Sequence, residues 1–191
     1  GDVYERQAQG WGKRKLRSGD RVLITEMEHH SNIVPWKMLK SSLGIEIDYI
    51  PVDKTGQLDL SEVDNLISEK TKLISVIHQS NVFGTVNPIT EIVKLAHEVG
   101  ALVLVDGAQS TPHHRVDVTE LNCDFFAFSG HKMMGPTGVG ALYTKPEILE
   151  AMNPFLGGGE MIRKVTLEGS TWNDIPWKFE AGTPNIAQVI G

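Results

Sequence analysis

A carboxylate and a lysine, each placed just after a strand-like segment, are the residues best suited to do chemistry together. Asp106 directly follows the five apolar residues 101–105, and Lys132 follows the apolar segment 125–128. A carboxylate in such surroundings is costly to desolvate unless a cation or hydrogen-bond donors meet it. Considered alone, Asp106 could equally cap a helix, and Lys132 could be a surface charge, a phosphate contact or a Schiff-base amine.

Taken together, the two residues suit pyridoxal phosphate (PLP). Sites for this cofactor use a lysine that bonds to its aldehyde and an acid that contacts its pyridine nitrogen. An ionised aspartate would keep that nitrogen protonated, so that the ring withdraws electrons from the α-carbon of the substrate. The lysine attacks a carbonyl only in its neutral form, which burial and nearby positive charge favour. We therefore predict that Asp106 and Lys132 belong to one PLP site.

The surrounding pattern predicts the elements that position these residues. Segments typical of strands alternate with segments typical of helices, which predicts an α/β fold with a mainly parallel sheet sandwiched by helices. The predicted strands are 22–24, 45–50, 73–77, 101–105, 125–128 and 139–143, and the predicted helices are 4–17, 33–43, 61–68, 88–99, 146–152 and 185–191. Function in open α/β sheets lies beyond the carboxyl ends of the strands. Four chemically rich segments are therefore expected at one edge: 25–32, 78–84, 106–109 and 129–138.

The composition excludes several other classes of protein. The 191 residues carry a net charge of −6, and 40% of them are hydrophobic, which excludes a disordered tail and gives no electrostatic footprint for nucleic acid. No apolar run is long enough for a membrane helix, and no secretory signal is visible, so we expect a cytoplasmic protein. A single cysteine, Cys123, excludes a disulfide framework and a thiolate zinc site. The histidine pairs at 29–30 and 113–114 lack metal-ligand spacing, so no metal is predicted.

Five motifs, in one order along the chain, carry a resemblance to a known family. They are residues 25–36 (TEMEHHSNIVPW), 80–88 (SNVFGTVNP), 105–109 (VDGAQ), 128–138 (FSGHKMMGPTG) and 179–185 (FEAGTPN). With them the chain resembles the class V aminotransferases, a group of fold-type I PLP enzymes. It is most similar to the SufS-like branch of cysteine desulfurases and selenocysteine lyases. Agreement of five motifs in register makes this resemblance specific.

The resemblance implies catalytic roles for two residues. Lys132 would bind the cofactor covalently and move the substrate α-proton. His29 would stack on the cofactor ring and is a candidate for acid–base steps, whereas its neighbour His30 receives no role. Asp106 would pair with the pyridine nitrogen, as the residues alone already suggested.

The resemblance also implies the other cofactor contacts. Gln109 would bond to the ring hydroxyl, and Asn81 would lie near the same oxygen. Ser129 and His131 would hold the phosphate. Thr183 would reach the phosphate of the cofactor in a partner subunit, which implies a homodimer.

The activity implied by the resemblance is cysteine desulfuration or selenocysteine lysis, with L-cysteine or L-selenocysteine as substrate. Sulfur would pass to an enzyme cysteine and then to an acceptor protein, for sulfur mobilisation in iron–sulfur cluster assembly. The alternatives are another class V PLP enzyme, such as an epimerase or a kynureninase-like hydrolase, or a catalytically incomplete fragment. The stretch 29–32 favours the desulfurase branch.

The domain organisation expected from the resemblance is incomplete at both ends. Residues 1–156 would form the PLP-binding core of the large domain, and residues 157–191 a Gly-rich loop and the start of the next segment. The family's phosphate-binding turn would precede this sequence. Its small C-terminal domain, persulfide-forming cysteine and substrate-binding arginine would follow, and neither Cys123 nor Arg163 matches them.

Overall fold

One six-stranded sheet organises the computed structural model, which describes residues 8–191. The strands are β1 (Arg21–Thr25), β2 (Glu46–Ile50), β3 (Thr71–Ile77), β4 (Leu102–Asp106), β5 (Phe125–Ser129) and β6 (Gly140–Thr144). Their order is β2-β1-β3-β4-β5-β6. The first five strands are parallel, and β6 pairs with β5 in the antiparallel direction. The predicted mainly parallel sheet is therefore confirmed.

Short helical segments connect the strands and follow them. They are α1 (Lys13–Lys15), which continues a π-helical turn over Ala8–Gly12, then α2 (Val34–Leu43), α3 (Val63–Leu66), α4 (Ile89–Glu98), α5 (Val118–Leu121), α6 (Pro146–Ala151) and α7 (Ile186–Ile190). Helix α2 ends at Gly44, whose φ of 72° is the left-handed conformation that glycine adopts most readily. Residues 4–7 of the predicted first helix lie outside the described residues.

One predicted helix is much shorter in the structure than in the sequence analysis. The segment 61–68 keeps only the four residues of α3. The carboxylate of Asp59 accepts the backbone N–H of Ser61 at 3.0 Å and its hydroxyl at 2.6 Å. These bonds hold a turn where the helix was expected to begin, because a short polar side chain competes with the helical backbone for its N–H groups.

Helices cover both faces of the sheet, and each face has its own core. On one face Val22, Ile24 and Leu104 of the sheet pack with Trp36 and Leu39 of α2. On the other face, residues of the same strands pack against α4; these are Leu23, Val103 and Val105 of the sheet with Ile92 and Ala96 of the helix. Each fully buried aliphatic side chain contributes about 1.5–3 kcal/mol relative to exposure. Successive side chains along each strand therefore enter the two cores in turn.

A buried aspartate ties the second helical layer to the sheet. Asp124 is 3% exposed, and its Oδ2 accepts the backbone N–H of Val103 at 2.7 Å. The same carboxylate contacts His97 Nε2 of α4 at 2.9 Å and Lys145 Nζ at 2.8 Å. These contacts join α4, β4 and the start of α6.

Past Pro154 the structure adds elements that the sequence analysis did not predict. Strands β7 (Ile162–Val165) and β8 (Ser170–Trp172) form a separate antiparallel hairpin in the segment 157–191, for which no strand was predicted. Most of its residues are exposed, so it has no apolar alternation to reveal it. Within residues 8–191, no helix has the length and apolar character needed to cross a bilayer.

Gly107 is the position where the backbone after β4 comes closest to the sheet. A Cβ added there would overlap the ring of Phe126, which is itself buried. We expect Gly107→Ala to lower the free energy of unfolding by about 1–3 kcal/mol, because packed cores resist added volume. Urea unfolding measures the change.

The control is Gly169→Ala, since no heavy atom lies within 4 Å of the point that an added Cβ would occupy there. This change should stay within about 0.5 kcal/mol of the unsubstituted chain. Equal stability of the two variants would contradict the close approach at Gly107.

Candidate active site

Asp106 is the last residue of β4 and is 1% exposed. Its Oδ1 accepts the backbone N–H of Ala108 at 2.9 Å, so it closes a turn rather than capping a helix. The parallel register sets Ile77 of β3 beside Asp106 and sets Asp106 beside Ala127 of β5. The carboxylate therefore lies in the middle of the sheet edge, between the strand ends that carry the other predicted residues.

Lys132 reaches the same edge from the turn Gly130–Met133, which directly follows β5. Its side chain is half-buried. The positive charge of Lys132 and the negative charge of Asp106 both act on the ring of His29, the first lowering and the second raising its pKa. The structure thus brings His29, Asp106 and Lys132 to one edge of the sheet, and their roles towards a cofactor stay predictions.

His29 follows β1 and is held by its own turn. Its Nδ1 lies 2.6 Å from the Ser31 hydroxyl and accepts the Ser31 backbone N–H at 3.3 Å. Because Nδ1 accepts that N–H, the neutral ring carries its proton on Nε2. The ring also stacks at 4.0 Å on His30. Burial lowers the pKa of His29, and the charges of His30 and Lys132 add to the effect, so the ring is neutral at pH 7.

Asn81 and Gln109 lie in the loops that follow β3 and β4. Asn81 is exposed in the turn after Ser80, whose hydroxyl accepts the backbone N–H groups of Val82 and Phe83. Gln109 is half-buried three residues after Asp106. Both residues are therefore on the predicted edge, and their contacts with a cofactor remain predictions.

The other predicted contacts line one cavity of about 780 Å³. Ser129 and His131 form part of its wall, and Thr183 lines the same cavity together with Phe179 and Gly182. All three predicted phosphate contacts are therefore together within a single chain. The role of Thr183 towards a partner subunit stays a prediction.

Glu28 is a site residue that the sequence analysis missed. It is buried, and its Oε1 accepts the Thr25 hydroxyl at 2.7 Å and the Ile77 backbone N–H at 2.6 Å. Its Oε2 accepts Asn32 Nδ2 at 2.7 Å. Burial raises the pKa of Glu28 to about 8 against these hydrogen bonds, and the charge of Asp106 adds to the rise. Glu26 is exposed whereas Glu28 is buried, and the sequence motif gives no sign of this difference.

The surroundings of Asp106 fit a PLP pyridine nitrogen. Among the residues that the structure describes, no lysine, arginine or histidine side chain lies within salt-bridge distance of this carboxylate. A buried carboxylate without a cation is costly, and a protonated pyridine nitrogen would supply the missing charge. The described part of the chain contains no cluster of three or more His, Cys, Asp or Glu side chains that could bind a metal ion.

An open α/β sheet with its polar groups at the strand ends defines the class of fold, and the comparisons with known proteins give the family. The family model described as aminotransferase class-V matches residues 5–191. The chain belongs to the class V aminotransferase family.

Relatives and solved structures agree with this assignment. A cysteine desulfurase from Haloferax volcanii is 56% identical over 184 residues, which are 96% of this chain and 43% of that protein. The structure of the Escherichia coli cysteine desulfurase CsdA matches with a TM-score of 0.96 at 41% identity, over 99% of this chain and 47% of that one. A C-DES mutant with glycine covalently linked to its PLP cofactor matches with a TM-score of 0.84 at 29% identity, over 95% of this chain and 48% of that one. The chain thus spans less than half the length of each of these proteins.

The raised pKa of Glu28 predicts a particular dependence of stability on pH. Between the ordinary value of 4.5 and the folded value of about 8, the folded state keeps a proton that the unfolded state has lost. The contribution of Glu28 to stability is therefore complete below 4.5 and falls as pH rises to about 8, by up to about 1.4 kcal/mol per pH unit.

Glu28→Gln removes this titration, so its stability relative to the unsubstituted chain should increase from about pH 5 to about pH 8. The measurement is urea unfolding of both proteins at several pH values. The same change at the exposed Glu26 should not alter the slope. A constant difference between Glu28→Gln and the unsubstituted chain would show that Glu28 titrates normally.

Proposed function

We propose that residues 1–191 form the PLP-binding part of a cysteine desulfurase, which converts L-cysteine to L-alanine and passes the sulfur to an enzyme cysteine. The observation that carries the proposal is Asp106, a buried carboxylate without a cationic partner among the described residues, at the edge that also holds Lys132 and His29. The identity of 56% to a named cysteine desulfurase supports the substrate. Selenocysteine lysis is the variant of the same chemistry.

The cofactor would supply an aldehyde that bonds to amines and a ring that accepts electrons from the substrate α-carbon. Lys132 would bind that aldehyde through Nζ until the substrate amine takes its place, and the freed Nζ would then accept the α-proton. Asp106 would hold the pyridine proton through its carboxylate oxygens. Because Asp106 is buried, this ion pair would be screened only weakly by solvent.

His29 would form one wall of the site. Its ring is neutral at pH 7, so it can lie against the cofactor ring without adding a positive charge next to Lys132. With Nδ1 engaged by Ser31, Nε2 is the atom free to exchange a proton with the substrate. This arrangement suits stacking together with proton transfer.

The remaining contacts would orient the cofactor. Gln109 and Asn81 would bond to the ring hydroxyl from the loops after β4 and β3. Ser129 and His131 would hold the phosphate from the end of β5 and the turn after it. Thr183 would contact a phosphate across the subunit boundary of a homodimer.

The sulfur-accepting cysteine would be a residue other than Cys123. Cys123 is buried, and burial raises the pKa of its thiol to about 12, with the charge of Asp124 adding to the rise. A thiol that stays protonated is a poor nucleophile. Cys123 therefore serves as a small apolar residue of the core. An acceptor protein would take the sulfur from the catalytic cysteine for iron–sulfur cluster assembly.

Two parts of the chain would contribute differently to the site. Residues 1–156 would supply the sheet and the cofactor contacts at its edge, and residues 157–191 would supply the Gly-rich loop and, with Thr183, part of the cavity wall. The small domain and the arginine that binds the substrate carboxylate would come from the remainder of the protein.

Cofactor trapping tests the role of Lys132. The chain is incubated with PLP, reduced with borohydride and digested, and the labelled peptide is identified by mass spectrometry. We expect the phosphopyridoxyl label on Lys132, and Lys132→Ala should lose it. Lys164→Ala, which removes an exposed lysine, is the control and should keep the label on Lys132. A label spread evenly over exposed lysines would refute a specific site.

Asp106→Asn tests the proposed pairing with the pyridine nitrogen. Asparagine keeps the acceptor for the Ala108 N–H but removes the negative charge, so α-proton exchange should slow by at least about 100-fold. Proton NMR of cysteine or alanine in deuterated water, with the PLP-loaded protein, measures the exchange rate. Release of alanine and sulfide from cysteine then tests the complete activity. An exchange rate like that of the unsubstituted protein would show that the charge of Asp106 is not used.

A further inference from the structure

Glu28 follows the end of β1, and its carboxylate takes the place of that strand as a hydrogen-bond partner of β3. The β1–β3 pairing ends at Ile24 and Ser75. The backbone N–H of Ile77, two residues further along β3, is bonded by the Glu28 carboxylate at 2.6 Å. The next N–H, that of His78, bonds to the Asp106 carbonyl at 2.9 Å. Glu28 therefore completes the last part of β3 next to Asp106.

The second oxygen of Glu28 closes the turn that carries His29. Oε2 accepts Asn32 Nδ2 at 2.7 Å, so a hydrogen bond joins the residue before His29 to the residue three positions after it. The turn between them is a 3₁₀ helix over His30–Asn32, and the Asn32 N–H donates to the His29 carbonyl at 2.8 Å. Hydrogen bonds thus hold the backbone on both sides of His29.

Asn32 is oriented from its other side as well. Its Oδ1 accepts the Ser75 hydroxyl at 2.8 Å and the Trp36 indole N–H at 3.4 Å. Both Asn32 and Ser75 are fully buried. Because Oδ1 faces these two donors, Nδ2 faces Glu28, and a flip of the amide would set Nδ2 against the indole N–H.

We infer that Glu28 is a positioning residue: its bridge to Asn32 closes the turn that carries His29 and holds that ring at the edge of the site. The inference rests on the proposed function only for what His29 does with the cofactor. The placement of the ring is a property of the chain and can be measured without PLP. Glu28 is not among the residues that line the cavity, so it acts on the site through the adjacent His29.

The chemistry of the bridge allows it to be broken and remade with little change in volume. Whether charged or protonated, Glu28 keeps a lone pair on Oε2 for the Asn32 N–H. Glu28→Gln places an N–H group there instead, so two donors face each other, while the bond to Ile77 can remain. Adding Asn32→Asp restores the hydrogen bond in the opposite direction: the side chain at position 28 now donates and the carboxylate at position 32 accepts. An oxygen at position 32 still faces Ser75.

The readout is the titration of the His29 ring, followed by NMR in the chain without cofactor. In the unsubstituted chain, burial holds the pKa of His29 below its ordinary 6.5; among residues 8–191, the charged groups acting on it are His30, Lys132 and Asp106. With the bridge broken in Glu28→Gln, the ring turns towards solvent and its midpoint should rise towards 6.5. The double variant Glu28→Gln/Asn32→Asp should return the midpoint to that of the unsubstituted chain.

Two further variants keep the test decisive. Asn32→Ala removes the bridge while Glu28 still bonds to Ile77, and it should raise the His29 midpoint in the same direction. Glu26→Gln, at the exposed glutamate that accepts the Val52 N–H, should leave the midpoint unchanged. An unchanged midpoint in folded Glu28→Gln, or a double variant that fails to restore it, would overturn the inference. Loss of folding in both single variants would also overturn it, in favour of a purely structural role.

Addition of PLP separates this inference from the proposed function. The bound cofactor should show circular dichroism in its absorption band, which reports the asymmetry of its surroundings. We expect that signal to weaken in Glu28→Gln and to recover in the double variant. If the unsubstituted chain gives no cofactor signal while the His29 titration behaves as expected, the proposed function fails at this site and the positioning by Glu28 stands.

Discussion

The parallel pairing of β3, β4 and β5 is the constraint on which the site depends. It sets Ile77, Asp106 and Ala127 side by side, so the residues that follow each strand leave the sheet at one edge. Both faces of these strands are covered by helices, and their side chains form two hydrophobic cores. Because the faces are apolar, polar side chains come together at the edge, where the sheet fixes the backbone that carries them.

Within the described part of the chain, two carboxyl groups are buried at that edge, and their hydrogen bonding differs. Glu28 receives three hydrogen bonds from the protein, and its raised pKa allows it to shed its charge near neutral pH. Asp106 receives one from a backbone N–H, and no cationic side chain of residues 8–191 lies within salt-bridge distance of it. Glu28 is thus bonded within the protein, whereas the negative charge of Asp106 has no positive partner within salt-bridge distance in the described residues. This asymmetry is the strongest argument that the edge binds a cation such as a protonated pyridine ring.

The apolar periodicity predicted the six strands and the longer helices closely, because burial on one or both faces leaves a direct mark on the sequence. It failed where burial was slight, as in the exposed hairpin of β7 and β8. Asp106 and Lys132 stood out because each follows an apolar strand, and the other contacts came from the resemblance to the family. Glu28 could not be singled out, because its importance lies in a contact with Ile77, which is 49 positions away in the sequence. Long-range bonds of this kind leave no local pattern.

The order of the strands also bears on how the molecule folds. The edge combines residues 28–32, 77–81, 106–109 and 129–132, and the β1 and β5 segments that flank it are far apart in the sequence. Closing loops of that length is slow compared with forming a helix. A chain emerging from the ribosome would present Glu28 and the N–H of Ile77 long before β5 is available. Glu28 can therefore hold β1 against β3 early, so that the partly formed sheet keeps its register until β5 and the turn that carries Lys132 are available.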